Sequence, residues 1–199
     1  MQRAGVGRCG LQVCVFCSSS DAVDGLYREQ GRRLGELLGR AGHDLVYGGA
    51  GTGLMRAVAE GAASQGARVT GIMPHAMVEY GLAFDRLDEL VVTASMAERK
   101  AEMERRADAF MVLPGGFGTL EELFEVLVAK QLGDLRAPVL LVNVRGYWDR
   151  LVTVMEQFYA LRFAKEDFRA LYLVCGDVEE AVARLDDLPP TEALPAKWF

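Results

Sequence analysis

The chain has 199 residues, 51% of them apolar and 25% charged, with a formal net charge of -6 and an isoelectric point near 5.1. That length suits one domain with a full hydrophobic core, and the acidic balance argues against a nucleic-acid polymer or an anionic membrane as partner. No apolar run approaches the roughly 20 residues that span a bilayer. The opening M-Q-R-A-G-V-G-R-C-G-L-Q-V-C-V-F superficially resembles a secretory leader, but Gln12 interrupts its short apolar run. It reads as a leading loop and a first buried strand.

Taken in chain order, short apolar runs alternate with longer amphipathic ones. Residues 11–16 predict a strand and 22–40 a helix with Leu26, Leu34, Leu37 and Leu38 as its apolar stripe, stopped by Gly42. A strand follows at 44–47, a glycine loop at 48–53, an alanine-rich helix at 54–65 and a strand at 68–72. Residues 74–87 read as irregular. Beyond them the pattern gives strand 87–92, helix 96–106, strand 109–113, helix 120–132, strand 138–142, helix 147–159, strand 171–174 and helix 178–185, then a proline-containing tail from Leu188 to Phe199. Strands apolar along their length and separated by helices indicate an α/β fold. The expectation is a single Rossmann-like, doubly wound domain with a mainly parallel sheet, helices on both faces and a core from about 11 to 187. Ligands in such sheets bind beyond the carboxyl ends of the strands.

Cys9, Cys14, Cys17 and Cys175 are the four cysteines. Cys14 and Cys17 form a C-x-x-C, but Cys14 lies inside a strand pattern, where a redox pair opening a helix does not belong. A zinc site would have only His43 and His75 to add to them. The reading is buried thiols in a reducing cytoplasm, with no metal.

Two glycine loops each join a strand to a helix: Y-G-G-A-G-T-G-L-M, which holds Gly49, and P-G-G-F-G-T, which holds Gly115, Gly116, Gly118 and Thr119. Neither is a Walker A loop or a G-x-G-x-x-G dinucleotide fingerprint. Glycines let backbone N–H groups approach an oxyanion at a helix N-terminus; alone, each loop is equally a tight turn. The second loop runs into Glu121 and Glu122. Thr119 and Glu122 spell a T-x-x-E capping box, which needs no chemistry. The other reading separates the charges in space: phosphate on the loop, and a carboxylate facing a sugar whose anomeric carbon becomes positive as a glycosidic bond breaks. A nucleoside 5'-monophosphate carries both features. Upstream, Ser95 and Glu98 spell a second capping box, followed at once by Arg99 and Lys100. Cations near a helix start oppose the dipole. They are either solvated or paired with Glu102 and Glu104 along the helix, or a clamp for phosphate and ribose oxygens.

P-G-G-F-G-T-L-E-E and E-R-K-A-E-M resemble the P-G-G-x-G-T-x-x-E and R-K motifs of the LONELY GUY family. C-V-F-C-S-S-S, Y-G-G-A-G-T-G-L-M and N-V-R-G-Y-W-D resemble further family segments, so the likeness runs from about Val13 to Leu185. The resemblance implies a homodimer or larger assembly, no cofactor, and hydrolysis of cytokinin riboside 5'-monophosphate or AMP to free base and ribose 5-phosphate. A broader nucleotide nucleosidase and a non-catalytic nucleotide or molybdenum-cofactor carrier are the alternatives. It further implies Gly115, Gly116, Gly118 and Thr119 on the phosphate, Glu122 as the main catalytic carboxylate with Glu121 beside it, and Arg99 with Lys100 on the substrate. Ser18, Gly49, Met96 and Glu79 are carried over as further substrate contacts. Two positions depart from the family pattern, Ala97 after Met96 and Val128 beyond the glutamates.

Overall fold

The computed structural model describes residues 10–187; the leading residues, Cys9 and the tail expected from Leu188 lie outside them. Seven strands form one sheet: β1 (Gln12–Phe16), β2 (Asp44–Tyr47), β3 (Val69–Pro74), β4 (Glu89–Thr93), β5 (Ala109–Val112), β6 (Val139–Val142) and β7 (Leu173–Cys175). Their order is β4-β3-β2-β1-β5-β6-β7, and every pairing is parallel. The helices are α1 (Gly25–Arg40), α2 (Gly53–Ser64), α3 (His75–Glu79), α4 (Met96–Arg106), α5 (Phe117–Leu132), α6 (Asp149–Ala160) and α7 (Val178–Asp187).

The pleat explains why the central strands are apolar at every position. Val13 and Val15 of β1 join a core with Leu34 and Leu38 of α1, Val58 of α2 and Val178 of α7. Cys14 and Phe16 face the other way, into a second core with Met103 of α4, Leu123 of α5 and Met155 of α6. The cysteines Cys14, Cys17 and Cys175 are free and buried, and Cys14 and Cys17 belong to opposite cores, so the C-x-x-C is not a pair. Helices α1 and α2 touch backbone to backbone: a Cβ on Gly35 would lie 2.1 Å from the Val58 carbonyl oxygen.

The chain leaves β1 toward β2, and after β4 returns to place β5 on the other side of β1. That reversal is the topological switch point where doubly wound sheets open a crevice. It brings the loops after β1, β2 and β5 together.

Several boundaries differ from the sequence expectation. Helix α1 begins at Gly25, not Ala22, because the Asp24 side chain accepts the Leu26 N–H at 2.9 Å and sets the cap. The stretch 74–87 contains α3 and an antiparallel bridge of Ala50 to Ala83. Helix α6 begins at Asp149, with Tyr147 in the turn that follows a 3-10 segment at Val144–Gly146. The expected strand at 171–174 is β7, and residues 166–171 before it form a second 3-10 turn. Helix α5 starts three residues before Leu120, at Phe117, which bears on the site directly.

Candidate active site

The first glycine loop is already filled by the protein's own chain. The Gly53 N–H donates to the Asp21 carboxylate at 2.9 Å, and the Leu54 and Met55 N–H groups donate to the Ser18 carbonyl at 2.9 and 3.2 Å. The Thr52 hydroxyl donates to the Ser19 carbonyl at 2.7 Å. The loop after β1 therefore lies across the start of α2 and uses its donors. Gly53 sits at φ +58, and a Cβ there would come within 2.5 Å of the Ser19 backbone. Gly49, at φ +79, holds the loop's turn, its carbonyl accepting the Phe84 N–H at 2.8 Å. It lies between two cleft residues, Gly48 and Ala50, without lining the cleft itself.

The second loop is open. Gly116 caps α5 with no side-chain hydrogen bond, and Leu120 makes the helix's first bond, to the Gly116 carbonyl at 3.0 Å. The N–H groups of Phe117, Gly118 and Thr119 have no acceptor among the described residues. They aim the positive end of the helix dipole outward. Thr119 is inside the helix, so the T-x-x-E capping box is not formed. Gly115 is pressed onto this turn, since a Cβ on it would fall 2.0 Å from the Thr119 hydroxyl oxygen.

One turn along α5, Glu122 is buried at 5% exposure and accepts a hydrogen bond from Arg99 Nη1 at 2.8 Å. Arg99 is equally buried, and its Nε donates to the Ile72 carbonyl at 3.0 Å. Its guanidinium lies over Gly48, where a Cβ would be 2.1 Å from Nη2. Burial pushes the Glu122 carboxyl above the usual glutamate range; the Arg99 charge and hydrogen bond oppose this, and Glu121 adds to it. The pairing of Arg99 and Lys100 with Glu102 and Glu104 is not what forms. Glu102 instead holds Arg105 and Arg106, and Lys100 bridges Glu121 and Glu125, the latter at 2.7 Å. The Ser95 cap does form: its hydroxyl accepts the Glu98 N–H at 3.1 Å, while Glu98 reaches one residue past the cap to accept the Ala94 N–H at 2.9 Å. That cap fixes the register of α4 and so the direction of Arg99.

These groups line a cleft of about 430 Å³ at the switch point. Of the residues singled out from sequence, Ser18, Met96, Arg99, Gly116, Gly118, Thr119, Glu121 and Glu122 line it. Lys100, Gly115, Gly49 and Glu79 do not. Lys100 stands behind Glu121, and Gly115 and Gly49 shape the two loops from outside. Glu79 is exposed on α3 beside His75, at 3.5 Å. The cleft's apolar wall was not legible from the sequence: Met55, Met73, Met77 and Leu82 join Met96 there. Two of the four lie in the stretch that carried no periodicity, and the Ala50–Ala83 bridge brings them in. Val128 faces a different hollow, an apolar groove of about 590 Å³ bordered by α5 and α6.

A family model described as possible lysine decarboxylase matches residues 55–185. A probable cytokinin riboside 5'-monophosphate phosphoribohydrolase of Oryza sativa subsp. japonica is 41% identical over 90% of this chain and 79% of its own. A cytokinin riboside 5'-monophosphate phosphoribohydrolase of Arabidopsis thaliana is 38% identical over 90% of this chain and 82% of its own. This chain belongs to the LONELY GUY family.

The cleft of this LONELY GUY protein gives the decarboxylase description no support at the level of side chains. A pyridoxal phosphate enzyme needs a lysine amine in its cleft, and none of the described lysines lines this one. Lys130, on the same helix as Glu122, is buried elsewhere with its amine on the Ala137 carbonyl at 2.8 Å. Among solved structures, a molybdenum cofactor binding protein from Rippkaea orientalis superposes with a TM-score of 0.69 at 20% identity, covering 90% of this chain and 98% of its own. A molybdenum cofactor carrier protein from Chlamydomonas reinhardtii gives 0.69 at 21%, covering 89% and 97%. At that identity the likeness shows the shared Rossmann-like fold.

Proposed function

We propose that this chain hydrolyses the N-glycosidic bond of cytokinin riboside 5'-monophosphate or AMP, releasing the free base and ribose 5-phosphate. The observation that carries the reading is the placement of a buried carboxylate, Glu122, one turn beyond the unused N–H groups that open α5. One helical turn is about 5.4 Å, close to the span from a 5'-phosphate to its own ribose. The phosphate accepts from the N–H groups of Phe117, Gly118 and Thr119. The base rests against the methionine wall. As the bond from C1' to nitrogen breaks, its electron pair leaves with the base and positive charge gathers at C1'. The Glu122 carboxylate stabilises that charge and takes a proton from water, whose oxygen bonds to C1'. The proton returns through solvent to the departing nitrogen. Arg99 fixes the carboxylate, and Lys100 holds Glu121 at the rim. Gly49 and Gly115 act by shaping the loops, and Ser18 and Met96 by contact. Glu79 acts only if α3 swings toward the cleft. No cofactor takes part.

We further place the protein in the cytoplasm, as one domain over its length and as a homodimer. Supporting the dimer, exposed Val128, Phe158, Leu161 and Phe163 line the apolar groove near α5. Among the described residues no helix is long and apolar enough to cross a membrane.

The purified chain, incubated separately with AMP and isopentenyladenosine monophosphate without added metal, should yield base plus ribose 5-phosphate by chromatography. Comparable rates over many nucleoside monophosphates would mark a broad nucleosidase. Nucleotide binding with no cleavage would make the protein a carrier and sink the hydrolase reading.

A further inference from the structure

The segment N-V-R-G-Y-W-D has no part in the chemistry above, yet it is built at some cost. Arg145 stands at φ 55 and Gly146 at φ 71. The Trp148 indole N–H is buried without an acceptor. Such features persist where the surroundings over-determine them, and they gather at working parts of a protein. Asn143 ties the turn together: its Oδ1 accepts the Trp148 backbone N–H at 2.7 Å, and its Nδ2 donates to the Asp149 carboxylate at 2.7 Å. The turn presents Tyr147, whose ring stands edge-on to Trp148 at 4.7 Å and to Tyr27 at 5.8 Å. From there the Tyr147 hydroxyl donates to the Gly115 carbonyl at 2.8 Å.

That one bond reaches the phosphate loop at a telling place. The carbonyl of Gly115 and the N–H of Gly116 share a trans peptide plane and point in opposite directions. Fixing the carbonyl on Tyr147 therefore fixes the N–H of Gly116, a residue that lines the cleft. Both residues are glycines, so no side chain restrains the plane. We propose that Tyr147 is a positioning residue that sets the Gly115–Gly116 peptide so that its N–H becomes a further donor to the substrate's 5'-phosphate. This rests on the reading of the P-G-G-F-G-T loop as the phosphate site.

Tyr147→Phe removes the hydroxyl and keeps the ring. Losing one aligned donor should weaken binding of ribose 5-phosphate, and raise KM for AMP, by about five- to ten-fold. The turnover number, the melting temperature and any cleavage of phosphate-free adenosine should hold. Tyr147→Leu, which also removes the ring, should lower the melting temperature and add nothing to the loss of phosphate affinity. Unchanged ribose 5-phosphate affinity in Tyr147→Phe overturns the inference, as does an equal loss toward adenosine or a binding loss confined to Tyr147→Leu. Calorimetry with ribose 5-phosphate decides it independently of turnover. A wild-type protein that binds this ligand without cleaving AMP defeats the hydrolase reading and leaves the comparison of the two proteins to judge Tyr147. A wild-type protein that cleaves AMP yet binds no ribose 5-phosphate keeps the hydrolase reading and overturns the inference about Tyr147.

Discussion

The two glycine loops look interchangeable as sequence, and the structure makes them opposites. Both leave a parallel strand, both reach a helix start, and both lie at the switch point. At α2 the donors are consumed by Asp21 and by the Ser18 carbonyl; at α5 they have no acceptor among the described residues, and Gly118 and Thr119 line the cleft. A glycine-rich strand-to-helix loop thus keeps its N–H donors free only where no other segment of the chain supplies the acceptor. What decides is a carboxylate 32 residues upstream of Gly53, which no local motif contains.

The largest effect that tests this contrast is chemical. Glu122→Gln keeps the shape beside the open loop and removes its charge; turnover should fall on the order of a hundred-fold or more. Product chromatography measures it, and wild-type rates in the variant would return Glu122 to a structural role. The pH dependence follows from the same group. Burial favours the protonated acid in the folded state, so the acid limb of kcat/KM should lie above the ordinary glutamate value of 4.5. The linkage has the matching sign: the raised pKa gives stability at low pH that is lost as pH rises through the folded value. The melting temperature of wild type relative to Glu122→Gln should therefore decline over that rise.

Next in size is a pair of alanine substitutions that should separate the loops. Gly53→Ala forces a side chain into φ +58 against the Ser19 backbone; it should cost about 1–3 kcal/mol of stability in denaturant titration. Gly118→Ala, in α5 with open space around it, should keep or raise stability by about 0.5–1 kcal/mol, as alanine in a helix does. Its methyl group should instead weaken ribose 5-phosphate binding. If the two variants behave alike, the loops are not the opposites described. The smallest effect is Asp21→Ala, which uncaps α2 and should cost about 1 kcal/mol, read as a shift in the denaturation midpoint with little change in KM for AMP.

Much of the fold was legible because burial on two faces leaves a plain mark: β2 and α4 fall on the residues that periodicity gives them. The helix starts were harder. T-x-x-E in α5 promised a cap at Thr119, but the glycines let the helix begin at Phe117, and Glu122 turned to Arg99 instead. In the site, Arg99 was readable because a cation near a helix start stands out against its local rule, whereas Glu122 fitted a capping box as well as a catalytic role. The methionine wall was not readable, because Met77 and Leu82 follow no period and reach the cleft through a single bridge. Asp21 was invisible for the same reason, since its partner is distant in sequence.

The sheet order also sets when this site can come into being. Arg99 belongs to the part of the chain that builds β4 through β1, and Glu122 to the part that adds β5 onward. A nascent chain emerging from the ribosome can assemble the first four strands and α4 while Glu122 is still unsynthesised, and domains that complete late fold through such partial states. Until β5 docks on β1, the guanidinium has no buried counter-charge and the cleft has no second wall. The ion pair therefore forms only once α5 packs beside α4, after the first four strands and ahead of β6, β7 and their helices.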